Sequence, residues 1–310
     1  AGSISGKVAD GFIFDLGGYT LTGKATATTG SVLNISAPVT IQNGTIKFTG
    51  EKSDKIGALQ INGADVTIAE NVTIDGGKSY AIWPEGYGHT LTVNGTVTSN
   101  GDYAIAGFGD VSGGYIYDCS ITVNAGAVIS APNGVAIYHP ELGTVTINGG
   151  VISNNQAANG GGIYPASGAQ FHLNGGEITD NTATNEGGGV YCSHLYSQNT
   201  GRCEFYGGTI SGNTAKQGGG AYVRACYIGY RNCRITGNTA TEAGGGLYLF
   251  PYASEKIIYM GSVYGGGGTI APYMYDNTVN SAQNNLYLSD PDTQIVFTAR
   301  INTDADAKLG

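Results

Sequence analysis

The sequence predicts an all-β solenoid, a parallel β-helix of about ten coils, and three observations carry that expectation. Composition is the first: there are 53 Gly but only 8 Pro, and short runs of Val, Ile, Thr and Tyr alternate with Gly/Asn punctuation. That is strand chemistry separated by turn chemistry, and no stretch shows the 3.6-residue apolar period of a helix. The second is a recurring phrase: NGTIKF at 43, NVTIDG at 71, NGTVTS at 94, NGGVIS at 148, NGGEIT at 174, YGGTIS at 206 and NCRITG at 232. The third is a second apolar row that moves in step with it.

Aligning the apolar residue of each phrase gives the row Ile46, Ile74, Val97, Ile129, Ile152, Ile178, Ile210, Ile235 and Ile270, with steps of 23 to 35 residues and a mean of 28. A period in the twenties built of strands means one coil per unit, with loops of varying length leaving at the corners. The companion row is Ile82, Ile105, Ile137, Ile163, Val190, Ala221, Leu247 and Leu286. Two columns at fixed phase are what a stacked interior needs, since one coil alone buries nothing and only the stack makes a core. With strands about 4.8 Å apart, ten coils make a rod roughly 50 Å long. A polar row, Asn155, Asn181, Asn213, Asn238 and Asn277, follows the strands. Asn tolerates left-handed backbone and bonds its neighbours, so these read as corner residues rather than metal ligands.

Charge narrows the function. A net charge of −9 gives no basic footprint, so nucleic acid is excluded as a partner. No apolar run is long enough to span a bilayer, so this segment is not expected to insert in a membrane. The chain starts at Ala1 without Met, and it reads as one β-helix domain over 1–310, trimmed from a longer protein. Residues 1–30 form the first coil and cap, and 289–310 the last. Of five cysteines, Cys119 is in phase with Ile121 and Val123 and reads as a buried thiol. Cys192, Cys203, Cys226 and Cys233 cluster, and of their three possible pairings the local ones, 192 with 203 and 226 with 233, are expected as disulfides. Such bridges belong to an oxidising, extracellular setting.

The phrases GGGIY (160–164), GGGVY (187–191), GGGAY (218–222) and GGGLY (244–248), alternating with I-[ST]-x-N, resemble a known repeat pair. It is the Gly-Gly-aliphatic and aromatic-x-x-Asn pair of polymorphic outer-membrane proteins and related bacterial adhesins, with Ile here where that family prefers Phe. FDLGGYTLTG (14–23) and NLYLSDPDTQIVFTARINTDADAKLG (285–310) look like the first and last coils of β-helix surface proteins from Gram-positive gut bacteria. The resemblance implies a single-stranded right-handed parallel β-helix of the pectate-lyase-like superfold, secreted and held at the cell surface through other parts of a parent protein.

Next to each residue of the companion row stands an outward position: Trp83, Ala106, Tyr138, Tyr164, Tyr191, Tyr222, Tyr248 and Tyr287. In register these make an aromatic stripe, either a cross-strand ladder that stabilises the sheet or a surface for sugar rings or a protein. Tyr196, Tyr227 and Tyr230 lie in Tyr-rich excursions (YCSHLYSQNTGRCEFY, YVRACYIGYRNC) whose Ser, Gly, Asn and Arg content is that of recognition surfaces. The expected function is adhesion or carbohydrate binding through Trp83, Tyr138, Tyr164, Tyr191, Tyr222, Tyr248 and these loops. A host or environmental glycan or glycoprotein is the partner, the chain acts as a monomer, and no cofactor or metal is required.

Pectate lyases and polygalacturonases share this fold, so enzyme readings need weighing. INTD at 301–304 is isolated at the wrong end, no Asp-Asp pair exists, and no Asp cluster suits Ca²⁺. The remaining acid/base candidates are Glu85, Glu141 and His139, with Asp102 and His194 behind them. A glycosidase or lyase using Glu85 with Glu141, or His139, is the first alternative. A structural stalk is the second.

Overall fold

A computed structural model describes residues 2–4, 11–24, 30–52, 57–107, 118–140, 142–166, 168–193, 202–225, 227–251, 257–260, 269–270, 273–298, 300–301 and 308–309. The fold is a parallel β-helix with no helix among the described residues. Among the described residues, three sheets of eleven strands each run its length. The first sheet begins at Gly2–Ile4 and ends at Leu286–Leu288; the second runs from Ile13–Asp15 to Gln294–Phe297, and the third from Thr20–Gly23 to Lys308–Leu309. Strands of each sheet are parallel from coil to coil, so every inward residue sits on its counterpart one coil away.

The columns are those the repeat implies. Ile46, Ile74, Val97, Ile129, Ile152, Ile178, Ile210 and Ile235 are in register on the third sheet and fully buried. Ile82 to Leu286 are in register on the first. Fully burying a side chain of this size contributes about 2 kcal/mol. A third column, on the second sheet, runs Ile41, Ile68, Val93, Val123, Ile147, Leu173, Phe205 and Tyr230. Ile270 does not belong to the first column: it pairs with Ile301 in a separate two-stranded ladder, and Met274 pairs with Ile235 in its place. The phrase GGGGTI imitates the repeat, but each ladder Asn lies three residues after a column residue, and Asn277 follows Met274 by that spacing.

The Asn row is an interior ladder. Asn155 Nδ2 donates to Asn181 Oδ1 at 2.6 Å, Asn181 to Asn213 at 2.9 Å, Asn213 to Asn238 at 2.9 Å, Asn238 to Asn277 at 2.8 Å and Asn277 to Asn285 at 2.8 Å. The same amides reach back to the carbonyls of Ile152, Ile178, Ile210 and Ile235, so a corner buried from water keeps its backbone satisfied. The left-handed backbone falls not on these Asn but one residue earlier, at Asn154, Asp180, Gly212, Gly237 and Asp276, all with φ between 55° and 66°. These residue types tolerate that region. A second ladder, Asn94, Asn124, Asn148 and Asn174, lies at another corner and is largely open to solvent.

After the Asn corner the chain makes a fourth sheet, from Gln156–Asn159 through Thr182–Glu186, Thr214–Gln217 and Thr239–Ala243 to Thr278–Val279, closed by the antiparallel pair with Ala282–Gln283. It then turns through Gly-Gly-Gly into the first sheet. The middle glycines have no room for Cβ: one on Gly219 would lie 2.4 Å from the Thr239 carbonyl oxygen of the next coil. The third glycines face the Asn ladder at 3.0–3.1 Å from a would-be Cβ.

Cys119, Cys192, Cys203 and Cys233 are all buried and carry thiols rather than disulfide sulfurs, and Cys226 lies outside the described residues. Cys192 and Cys203 face one another in one coil, with their side chains in hydrogen-bond contact. Burial and this partner push the Cys203 thiol well above the usual range. In protein produced in an oxidising compartment, mass measurement under denaturing, non-reducing conditions should find the 192–203 pair oxidised and Cys119 alkylatable. Alkylation of both Cys192 and Cys203 in that preparation would refute the pairing.

Candidate functional site

The outward face of the first sheet carries a continuous ladder of Tyr80, Tyr103, Tyr138, Tyr164, Tyr191, Tyr222, Tyr248 and Tyr287, with neighbouring ring centroids 4.7–5.6 Å apart. Strand register sets the spacing: Tyr164 follows Ile163, Tyr222 follows Ala221, and each column residue pairs with the next. The first glycine of each corner makes the ladder possible, since a Cβ on Gly160 would stand 2.9 Å from Tyr164 Cβ and 3.1 Å from Tyr191 Cβ. The rings therefore cover bare backbone, and this is why GGG and Tyr travel together in the repeat.

Ring orientation decides which parts of the tyrosines face outward. Tyr222 and Tyr248 are nearly parallel (10°), Tyr103 and Tyr138 lie at 27°, and Tyr248 and Tyr287 at 28°. At those stacked steps the ring faces are turned to each other, leaving edges and hydroxyls outermost. Tyr138, Tyr164, Tyr191 and Tyr248 are half-buried and Tyr222 is buried at 8% exposure. Burial pushes all five phenols up, and the Glu186 carboxylate adds to the effect on Tyr164, Tyr191, Tyr222 and Tyr248. The hydroxyls accordingly stay protonated at neutral pH. Each ring pair contributes about 1 kcal/mol beyond area burial.

Beside the ladder, across the glycine turn, the last residues of the fourth-sheet strands line a polar cleft of about 270 Å³: Asn159, Asn185, Glu186, Lys216, Gln217 and Glu242. Gln217 Nε2 donates to Glu242 at 3.0 Å, and Glu186 shares a hydrogen bond with Tyr191. None of these six was singled out from the sequence. The available signal was position, since each stands immediately, or one or two residues, before a Gly-Gly-Gly turn.

No family model, curated protein or solved structure matches this chain.

The other expected site residues divide. Trp83 is buried at 5% exposure, set edge-on against Tyr80, and the missed Tyr80 and Tyr103 extend the ladder where Ala106 would have interrupted it. Tyr230 is not on a surface: alternation puts it inward with Ile228, and its hydroxyl donates to the Cys233 carbonyl at 2.5 Å. Tyr196, Glu141 and His194 lie outside the described residues, as does the side chain of Tyr227. Glu85 is half-buried and accepts a hydrogen bond from Gln60 at 3.0 Å, and Asp102 pairs with Lys52 at 2.7 Å. On the second sheet's outer face His172 lies 3.3 Å from the buried Glu204, a pair the sequence reading passed over.

His139 is a core residue rather than a surface acid/base group. It is fully buried, with Nε2 3.3 Å from the Leu142 carbonyl. Burial lowers its pKa to about 4 against the backbone hydrogen bonds that oppose the shift. The unfolded chain takes a proton near pH 6.5 and the folded one only near 4, so stability should fall as pH drops through that window. The loss is about 3 kcal/mol from this group. Urea titrations at pH 7.5 and 4 should show it, and His139→Gln should flatten that part of the profile; an unchanged acid limb in the variant would refute the assignment.

Proposed function

We propose that this β-helix is a binding rod displayed outside a bacterial cell, adhering to a glycan or glycoprotein through the tyrosine ladder and the cleft beside it. The observation that carries the reading is the ladder itself, eight tyrosines in ring contact along one face, those from Tyr138 to Tyr287 in strand register, bordered by a row of polar side chains. Recognition would use ring edges and protonated hydroxyls rather than ring faces. The resemblance of its repeats to bacterial adhesins, and of its end coils to surface proteins of Gram-positive gut bacteria, supports secretion and attachment through a parent protein.

Replacing Tyr164, Tyr191 and Tyr222 together by Ser should weaken attachment to host cells or immobilised glycans at least tenfold, as expected for central contact aromatics. Binding that survives while the melting temperature drops sharply would show the ladder to be structural. That second reading, a stalk, is favoured by the near-parallel faces of Tyr222 and Tyr248 and the burial of Tyr222.

A further inference from the structure

We propose that the polar cleft along the fourth sheet, together with the tyrosine ladder beside it, takes a linear glycan strand lying along the rod axis and carrying no acidic groups. This rests on the binding function proposed above and names its ligand class.

Periodicity is the first argument. Asn159, Glu186 and Gln217 are paired in register on successive coils, and across the glycine turn Tyr164, Tyr191 and Tyr222 repeat in the same register. One polar and one phenolic group thus recur about every 4.8 Å along the axis. A polymer of repeating units running parallel to that axis meets the same pair of groups at each step, whereas a compact ligand would engage only one or two coils. The turn between the rows is Gly-Gly-Gly, so no side chain rises to divide them.

Chemistry is the second. The lining side chains are two amides on Asn159 and Asn185, the amide of Gln217, the carboxylates of Glu186 and Glu242, and the ammonium of Lys216. Planar amides and carboxylates can bind adjacent hydroxyls in a bidentate way, and protonated phenols donate to ring or glycosidic oxygens.

Charge is the third. Two carboxylates face one ammonium in the cleft, and Gln217 holds Glu242 by a hydrogen bond. The whole chain carries −9. A uronate or sulfated strand brings like charge against Glu186 and Glu242, while neutral or amino sugars meet hydrogen-bonding partners without that repulsion.

The test is an array of immobilised neutral, amino, uronate and sulfated oligosaccharides, probed with the intact chain and with Glu186→Gln/Gln217→Ala. Binding confined to neutral or amino members, reduced at least tenfold in the variant with its melting temperature unchanged, supports the inference. Preference for uronate or sulfated members overturns it, as does a variant that binds like the parent. If the chain attaches to cells through the ladder tyrosines yet binds no array member, the glycan assignment falls while the adhesive function stands. If cell attachment also ignores the ladder, that function falls too.

Discussion

Asn213→Leu is expected to destabilise the fold by about 3–5 kcal/mol, because several buried groups lose a partner at once. Asn213 is fully buried; its Oδ1 accepts from both the backbone N–H and Nδ2 of Asn181, and its Nδ2 donates to the Ile178 carbonyl and to Asn238. Leu keeps the branched shape of Asn but is larger, so crowding of its methyls against groups now 2.9 Å away adds to the lost hydrogen bonds in a dry corner. The comparison is Asn148→Leu in the second ladder. There the side chain is exposed and water replaces the partners, so the effect should stay below about 1 kcal/mol. Urea midpoints measure both, and hydrogen exchange at the Asn181 amide should quicken in the first variant alone. Equal effects would mean that burial does not set the strength of these ladders.

Gly219→Ala should be at least as damaging, about 3 kcal/mol or more, read as a lowered urea midpoint or as loss of soluble protein. Its Cβ would stand 2.4 Å from the Thr239 carbonyl oxygen, 2.5 Å from that of Gly245 and 2.6 Å from the Thr239 carbonyl carbon. All three are backbone atoms of the adjacent coil, so relief requires parting the strands. Gly237 separates this steric effect from a conformational one. Its φ is +65° and nothing lies within 4 Å of a would-be Cβ, so Gly237→Ala should cost about 1 kcal/mol. Gly237→Asn should cost less, because Asn154, Asp180 and Asp276 already hold that corner conformation in other coils. A well-folded Gly219→Ala protein with unchanged melting would contradict the packing described for the turn.

How far the site could be read in advance follows the same logic. Period-2 alternation places Tyr164, Tyr191, Tyr222 and Tyr248 outward as soon as the column beside them is known, and the structure agrees. The same alternation, applied to Ile137–His139 and to Ile228–Tyr230, sends His139 and Tyr230 inward, although their residue types suit a surface site. Trp83 fails for another reason: Tyr80 packs edge-on against it, a contact between neighbours in one strand that alternation does not foresee.

Repeat spacing, residue type and alternation by themselves determined the parallel β-helix, its first- and third-sheet columns, the Asn corner and the phase of the tyrosines, because stacked coils demand like residues at like positions. The tilt of one ring against the next was decided only by tertiary structure, and so was the closeness of Cys192 to Cys203. So too was the meeting of Glu186 with Tyr191. The last depends on how tightly the glycine turn folds the fourth sheet toward the first. That angle is set by the glycine corner packing against backbone one coil away, a distance no linear spacing encodes.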